Sequence, residues 1–438
     1  MPSLVVVARW TIVAVVAAVI AGCGDSGSSA PTPATKKSAD ADAEAAPAAE
    51  KKKPPTDVEQ LETLLLDRGA ALAQGDVEDF LATSTDTQTN KDKRQIAAAK
   101  VLPLTSVDLK ARGTEISGDK ATMRVEMSYS FDGIDTYYFK TSSMTLKKTP
   151  EGWRVANDKP TYGMLAPWEY KNYKVRKSPH FVALAPKGMK VGSLMTDLEK
   201  GYNRMKRGLP GVTAPKKVLV IVARSGTDTK ALTKDIKTLK SLTAVAENQY
   251  STKGAAKKID DVWGQRVFVL WSSYGNRSAD ERRRVVAHEL VHTALASRTS
   301  ARTPPWLTEG IAMYVSGDDR SGDAGALISG RGVLKDPSKQ GAAKKAMSLA
   351  RLSKPRALEN MSSVSLSFAY SYSAAAAYAI ADKHGRKGLL KLLSAYNSQK
   401  LKGSGSKLSD RAAKRALKTS LSSLKQQVDS YASAHSRF

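Results

Sequence analysis

The sequence predicts an α+β protein built in two parts. An N-terminal helix leads into a curved antiparallel sheet, and a second part joins a small mixed sheet to a central helix and a helical C-terminal lobe. Three observations predict this. Apolar residues recur at helical spacing from Asp57 to Leu81 and alternate from Val107 to Val155. Three short apolar runs, 181–184, 218–222 and 267–270, read as strands buried on both faces. From Ser278 onward helical stripes dominate.

A length of 438 residues fits two domains with tails, and 41% hydrophobic residues provide enough apolar surface for sizeable cores. The net charge of +27 is spread over the chain and accompanied by no nucleic-acid motif. It points to an anionic setting such as lipid head groups or envelope polymers, and nucleic acid is not an expected partner.

Residues 1–23 begin with a single Arg9, continue in an apolar run from Thr11 to Ile20 and end in Ile20-Ala21-Gly22-Cys23. The apolar core is too short to span a bilayer, so the segment reads as a signal peptide. Its end resembles a bacterial lipobox, which implies lipidation of Cys23 and anchoring on the extracellular face of the cell membrane. A plain signal peptide and an uncleaved anchor are the alternatives. Cys23 is the one cysteine of the chain, so no intrachain disulfide forms. Residues 24–56 are rich in Gly, Ser, Ala, Pro and Lys and predict a disordered linker.

The first domain is expected over 57–160. Val58, Leu61, Leu64 and Leu65 form a helical stripe, and a second run passes Val77 and Phe80. Strands alternate from Lys120 to Tyr129, then turn at Asp132-Gly133 and again at Glu151-Gly152 before Trp153-Arg154-Val155. Helix first, then a meander, resembles nuclear-transport-factor-like cone domains. No histidine and no acid pair stands inside this one, so the expectation is a packed spacer or docking module.

The second domain is expected over 165–435. Met195 to Met205 reads as a helix, and the strand over 266–271 precedes the central helix. Ser278 and Glu281 form a capping box ahead of that helix, which carries His288-Glu289-Leu290-Val291-His292. Four residues of helix separate the histidines by about 40° and roughly 6 Å along the axis. Both imidazoles therefore reach one ion, and Glu289 stands beside the open coordination position as a general base. Pro304-Pro305 opens a further helix and Gly317 closes it. Glu309, near its start, is the expected third ligand. Asp318 and Asp319 are alternatives as ligands, but their place beside Gly317 suits turn formation.

His288-Glu289-x-x-His292 followed by Pro304-Pro305-Trp306-Leu307-Thr308-Glu309-Gly310 resembles the gluzincin zinc metallopeptidases, the clan of thermolysin and aminopeptidase N, and the related peptidase MA-like domains. The resemblance implies that His288, His292 and Glu309 hold Zn2+ and that Glu289 is the general base. It also implies that the strand before the central helix is the sheet edge on which a peptide substrate lies. Four positions after the third ligand the thermolysin-like pattern has an aspartate and this chain has Met313. The G-A-M-E-N string of aminopeptidases is absent, so exopeptidase action is not implied.

Phe368 to Ser373 leads into an alanine-rich helix ending at His384-Gly385. By likeness to aminopeptidase-like members, Tyr370, or else Tyr372, is the oxyanion donor. His180, His384 and His435 read as surface or capping residues. The polar stretch 318–346 predicts a surface insertion, 401–407 a linker, and 409–431 one amphipathic helix. The expected function is a lipid-anchored zinc metallopeptidase acting on peptides or proteins. The rivals are a surface binding or scaffold lipoprotein, a hydrolase of envelope polymers and a metal-free polycationic attachment protein.

Overall fold

The computed structural model describes residues 54–160, 165–232, 243–253, 258–330, 334, 336–358, 361–398 and 400–436. The signal-peptide reading, Cys23 and most of the linker lie outside these residues. No described helix is long and apolar enough to cross a membrane.

Thr56 opens α1 (Asp57–Gln74) in a capping box with Glu59, and Leu61, Leu64, Leu65 and Leu72 are buried on its inner face. Two shorter helices follow, α2 (Val77–Ala82) and α3 (Asp86–Ala99). Helix α3 carries no apolar stripe legible in sequence. Its buried positions include the polar Gln88, Asp92 and Gln95. Then β1 (Leu104–Ser117), β2 (Lys120–Phe131), β3 (Tyr137–Thr149) and β4 (Gly152–Pro160) form an antiparallel meander in that order. Met123, Val125, Met127 and Tyr129 alternate inward on β2, as period-two patterning requires.

The second part starts with α4 (Pro167–Tyr170), β5 (Tyr173–Ser178), β6 (Phe181–Pro186), α5 (Leu194–Gly208), β7 (Val218–Ala223) and α6 (Gly226–Leu232). It continues with β8 (Ala244–Lys253), β9 (Lys258–Leu270), α7 (Trp271–Tyr274), α8 (Ala279–Leu295) and α9 (Pro305–Ser316). The sheet order is β5-β6-β7-β9-β8, with parallel pairs at its centre and an antiparallel strand at each edge. This corrects one expectation. The strand before the central helix, β9, is interior, and the neighbouring edge strand is β8. The two edge strands escaped the sequence reading for different reasons: β5 buries little beyond Tyr173, and β8 interrupts its buried apolar residues with the equally buried polar Glu247, Asn248 and Gln249.

The helical lobe comprises α10 (Ser321–Ile328), α11 (Pro337–Ala346), α12 (Leu349–Leu352), α13 (Ser363–Tyr396), α14 (Gly405–Leu417) and α15 (Leu421–Ala434). The expected surface insertion over 318–346 is instead two helices. Ser321, Ala324 and Leu327 of α10 are buried, and a Cβ on Gly325 would overlap the Ala432 carbonyl of α15. The expected single helix over 409–431 is two, because Lys418 leaves α14 in a left-handed conformation and Ser420 caps a new one. The two parts of the molecule meet on the stretch of β3 that extends past its pairing with β4. There the Gln249 side chain accepts from the Phe139 N–H at 3.0 Å and donates to its carbonyl at 3.3 Å. Tyr138 Oη donates to the Gln265 carbonyl at 2.7 Å, and Lys140 pairs with Glu169 in a buried contact.

Candidate metal centre

Helix α8 begins as expected: Ser278 accepts from the Glu281 N–H while the Glu281 carboxylate accepts from Ser278. From Val285 to Leu295 every residue is buried, so this helix is covered on all sides rather than along one stripe. Beside it lies α9, closed by Gly317 in the left-handed conformation at φ 71°. The Asp318 N–H and the Gly317 N–H donate to the carbonyls of Met313 and Tyr314, the Asp318 carboxylate accepts from Arg320 at 2.6 Å, and Asp319 accepts from the Ser321 N–H. Both aspartates are thus occupied at the turn, and Glu309 is the carboxylate that meets the histidines.

His288 Nε2 lies 3.2 Å from Glu309 Oε2, His292 Nε2 lies 3.5 Å from the same oxygen, and the two Nε2 atoms are 3.3 Å apart. A tetrahedral ion with bonds of about 2.0–2.1 Å has ligand-to-ligand edges of about 3.3 Å. The three measured separations match that edge. Two nitrogens facing one another this closely need a shared proton or a cation between them. The donor set, two imidazoles and one carboxylate converging in a buried space, could hold a metal ion. Among the described residues no other group of three or more histidines, cysteines or acids converges in this way.

The charges are tuned by one another. Burial works against the His288 imidazolium, but Glu309 and Glu289 outweigh it and hold its pKa above the ordinary value. Burial likewise works against the Glu309 carboxylate, and His292 and His288 reverse that, leaving its pKa low. Glu289 goes the other way. It is fully buried, and desolvation raises its pKa against the opposing pull of both histidines. Its Oε2 accepts from the Ala246 N–H of β8 at 2.8 Å, while Oε1 has no partner. His288 Nδ1 is also without a partner, and Met313, where an aspartate would support a histidine, is buried and apolar. The Ala246 amide was invisible to sequence reasoning because a backbone donor leaves no signature in residue type.

Gly310 explains how α13 reaches the site. A Cβ there would overlap the Ser373 carbonyl, so only glycine lets the two helices approach this closely. Tyr370 is buried and lies one turn before Ser373 on the same side of α13. Tyr372 is engaged elsewhere, donating to Asp429 Oδ1 at 2.7 Å. Of the remaining histidines, His180 pairs with Glu199 at 2.7 Å and His435 Nδ1 lies 2.8 Å from the Tyr431 carbonyl, while His384 stands beside the break at Gly385.

No family model matches the chain, and no curated protein sequence does. Among solved structures it is similar to a variant of Rv3472 from Mycobacterium tuberculosis, at 16% identity and TM-score 0.23, over 25% of this chain and 73% of that one. It is also similar to an NTF2-like protein with a cystatin-like fold from Novosphingobium aromaticivorans, at 19% identity and TM-score 0.20, over 24% of this chain and 80% of that one. Structural neighbours thus include NTF2-like folds.

Proposed function

We propose that this protein is a zinc-dependent metallopeptidase of gluzincin type, held on the outer face of the cell membrane through Cys23. The observation that carries the reading is the convergence of His288, His292 and Glu309 with separations of 3.2–3.5 Å, next to a buried acid with one free oxygen. Zinc suits a site with two imidazoles and one carboxylate, and when bound it polarises a carbonyl and lowers the pKa of water. Glu289 is the base: its Oε2 is fixed by Ala246, and its free Oε1 takes a proton from water and delivers it to the leaving amine. Tyr370 is assigned as donor to the developing oxyanion on its position in α13, one turn before Ser373, and the Tyr372 hydroxyl donates to Asp429. An extended peptide would pair with β8, the edge strand beside α8.

The burial of His288, Glu289, His292 and Glu309, none more than 3% exposed, favours a second reading in which the metal braces a binding or scaffold lipoprotein. One experiment separates them. Purified protein is analysed for metal and incubated with a peptide library with and without a chelator. The peptidase reading expects one zinc per chain and chelator-sensitive cleavage that falls by at least about 10²-fold in Glu289→Gln. Zinc without cleavage supports the scaffold, and cleavage at the wild-type rate by Glu289→Gln overturns the mechanism.

A further inference from the structure

Away from the metal centre, a groove of about 670 Å³ runs between the second half of α13 and the C-terminal end of α14. Lys387, Lys391, Arg415 and Lys418 line it, and no carboxylate does. None of these four cations has an ion-pair or hydrogen-bond partner for its side chain among the described residues. Between them lie the apolar Leu390, Ala395 and Ala416, and Ser394 and Ser398 add hydroxyls.

One of the cations sits against local electrostatic preference. Gly385 (φ 66°, ψ 171°) breaks α13, so Lys387 falls in the first turn of the restarted helix, where the positive end of the helix dipole disfavours a cation. Complementing the α14 dipole accounts for Arg415 and Lys418 but not for Lys387 or Lys391. An anion along the groove offsets all four charges at once.

We infer that this groove binds a linear polymer whose repeats are joined by phosphodiesters. Lys387 and Ser394 stand about 10 Å apart along the helix at 1.5 Å per residue, a run longer than one phosphate requires. The apolar floor faces the uncharged spacers between phosphates, where a dense chain of bare phosphates would set charge against Leu390. No aromatic side chain lines the groove, so it has no platform on which nucleic-acid bases would stack.

The test is a titration of the full chain into a short, fluorescently labelled poly(glycerol phosphate), read by anisotropy over a range of salt. Reversing Lys387→Glu together with Lys391→Glu is expected to weaken binding at least about tenfold and to flatten its salt dependence. The milder pair Lys387→Met and Lys391→Met shifts it in the same direction. Reversing Lys93→Glu together with Lys120→Glu changes net charge equally on the N-terminal domain and is expected to shift binding less than about twofold. Equal losses in the two reversed pairs mean diffuse attraction to a chain of net charge +27 and overturn the assignment. Single-stranded DNA binding as tightly through the same lysines replaces the polymer with nucleic acid. Binding confined to phosphatidylglycerol–phosphatidylcholine vesicles replaces it with a lipid surface. None of these readouts depends on hydrolysis at the metal centre.

Discussion

Two buried polar centres, one in each part of the molecule, are finished to different degrees. In the N-terminal part Arg68 and Asp92 are 2% and 0% exposed. Arg68 donates to Asp92 at 2.7 Å, to Thr83 at 2.7 Å and to Ser84 at 3.0 Å, and its guanidinium lies 4.2 Å from the Phe80 ring centre. Asp92 also accepts from Gln88 at 2.8 Å and from Ser84. The protein itself completes that centre. Around α8 the charged groups are equally buried, but His288 Nδ1 and Glu289 Oε1 are left over and two imidazole nitrogens confront each other. A buried charge satisfied by its own chain is architecture. One that converges metal-ligating atoms and leaves a buried acid oxygen free has the form of a site.

The largest expected effect breaks the unfinished centre. Glu289→Gln should lower peptide turnover by about 10²- to 10⁴-fold, the range of a general base, while metal analysis still finds the wild-type content. Next comes the finished centre. Asp92→Asn strands a buried guanidinium and should destabilise the protein by about 3–5 kcal/mol in urea unfolding, with metal content unchanged. A loss under about 1 kcal/mol there would mean that the two centres are not different in kind.

Metal removal sharpens the contrast. At free metal about 100 times its dissociation constant, the loaded protein should be more stable than the chelated one by about 2.7 kcal/mol. The pH dependence has a definite sign. The His288 pKa is raised above 6.5, so its ion pair supports the metal-free protein below that value and is lost as pH rises through the raised one. Metal requires the same imidazole deprotonated, so the stabilising increment should grow from pH 6 to pH 8 in thermal unfolding. An increment that shrinks over that interval would remove His288 from the ligand set. The smallest effect concerns the scaffold of the site alone: Ser278→Ala removes the α8 cap and should cost about 1 kcal/mol in metal-loaded protein, with metal content unaffected.

Much of the site was legible because its signals are local. The capping box at Ser278, the i, i+4 histidines, the prolines opening α9 and the glycine closing it each act within a turn or two of helix. Elements that bury polar residues among their apolar ones were not legible. Helix α3 buries Gln88 and Asp92 beside Ile96 and Ala99, and β8 buries Glu247, Asn248 and Gln249 beside Val245 and Tyr250. Nor did the pattern at Lys418 warn of a break, since lysine seldom ends a helix in the left-handed region.

By itself the sequence determined which side chains can grip a metal and which helices carry them, because helix period and capping depend on near neighbours alone. Only the tertiary structure decided that Glu309 rather than Asp318 or Asp319 meets the histidines, that the Ala246 amide holds Glu289, and that β8 rather than β9 forms the edge beside α8. Those outcomes depend on contacts between residues far apart in the chain, several through backbone groups that every residue carries, and such contacts exist only once the sheet and the helices have packed.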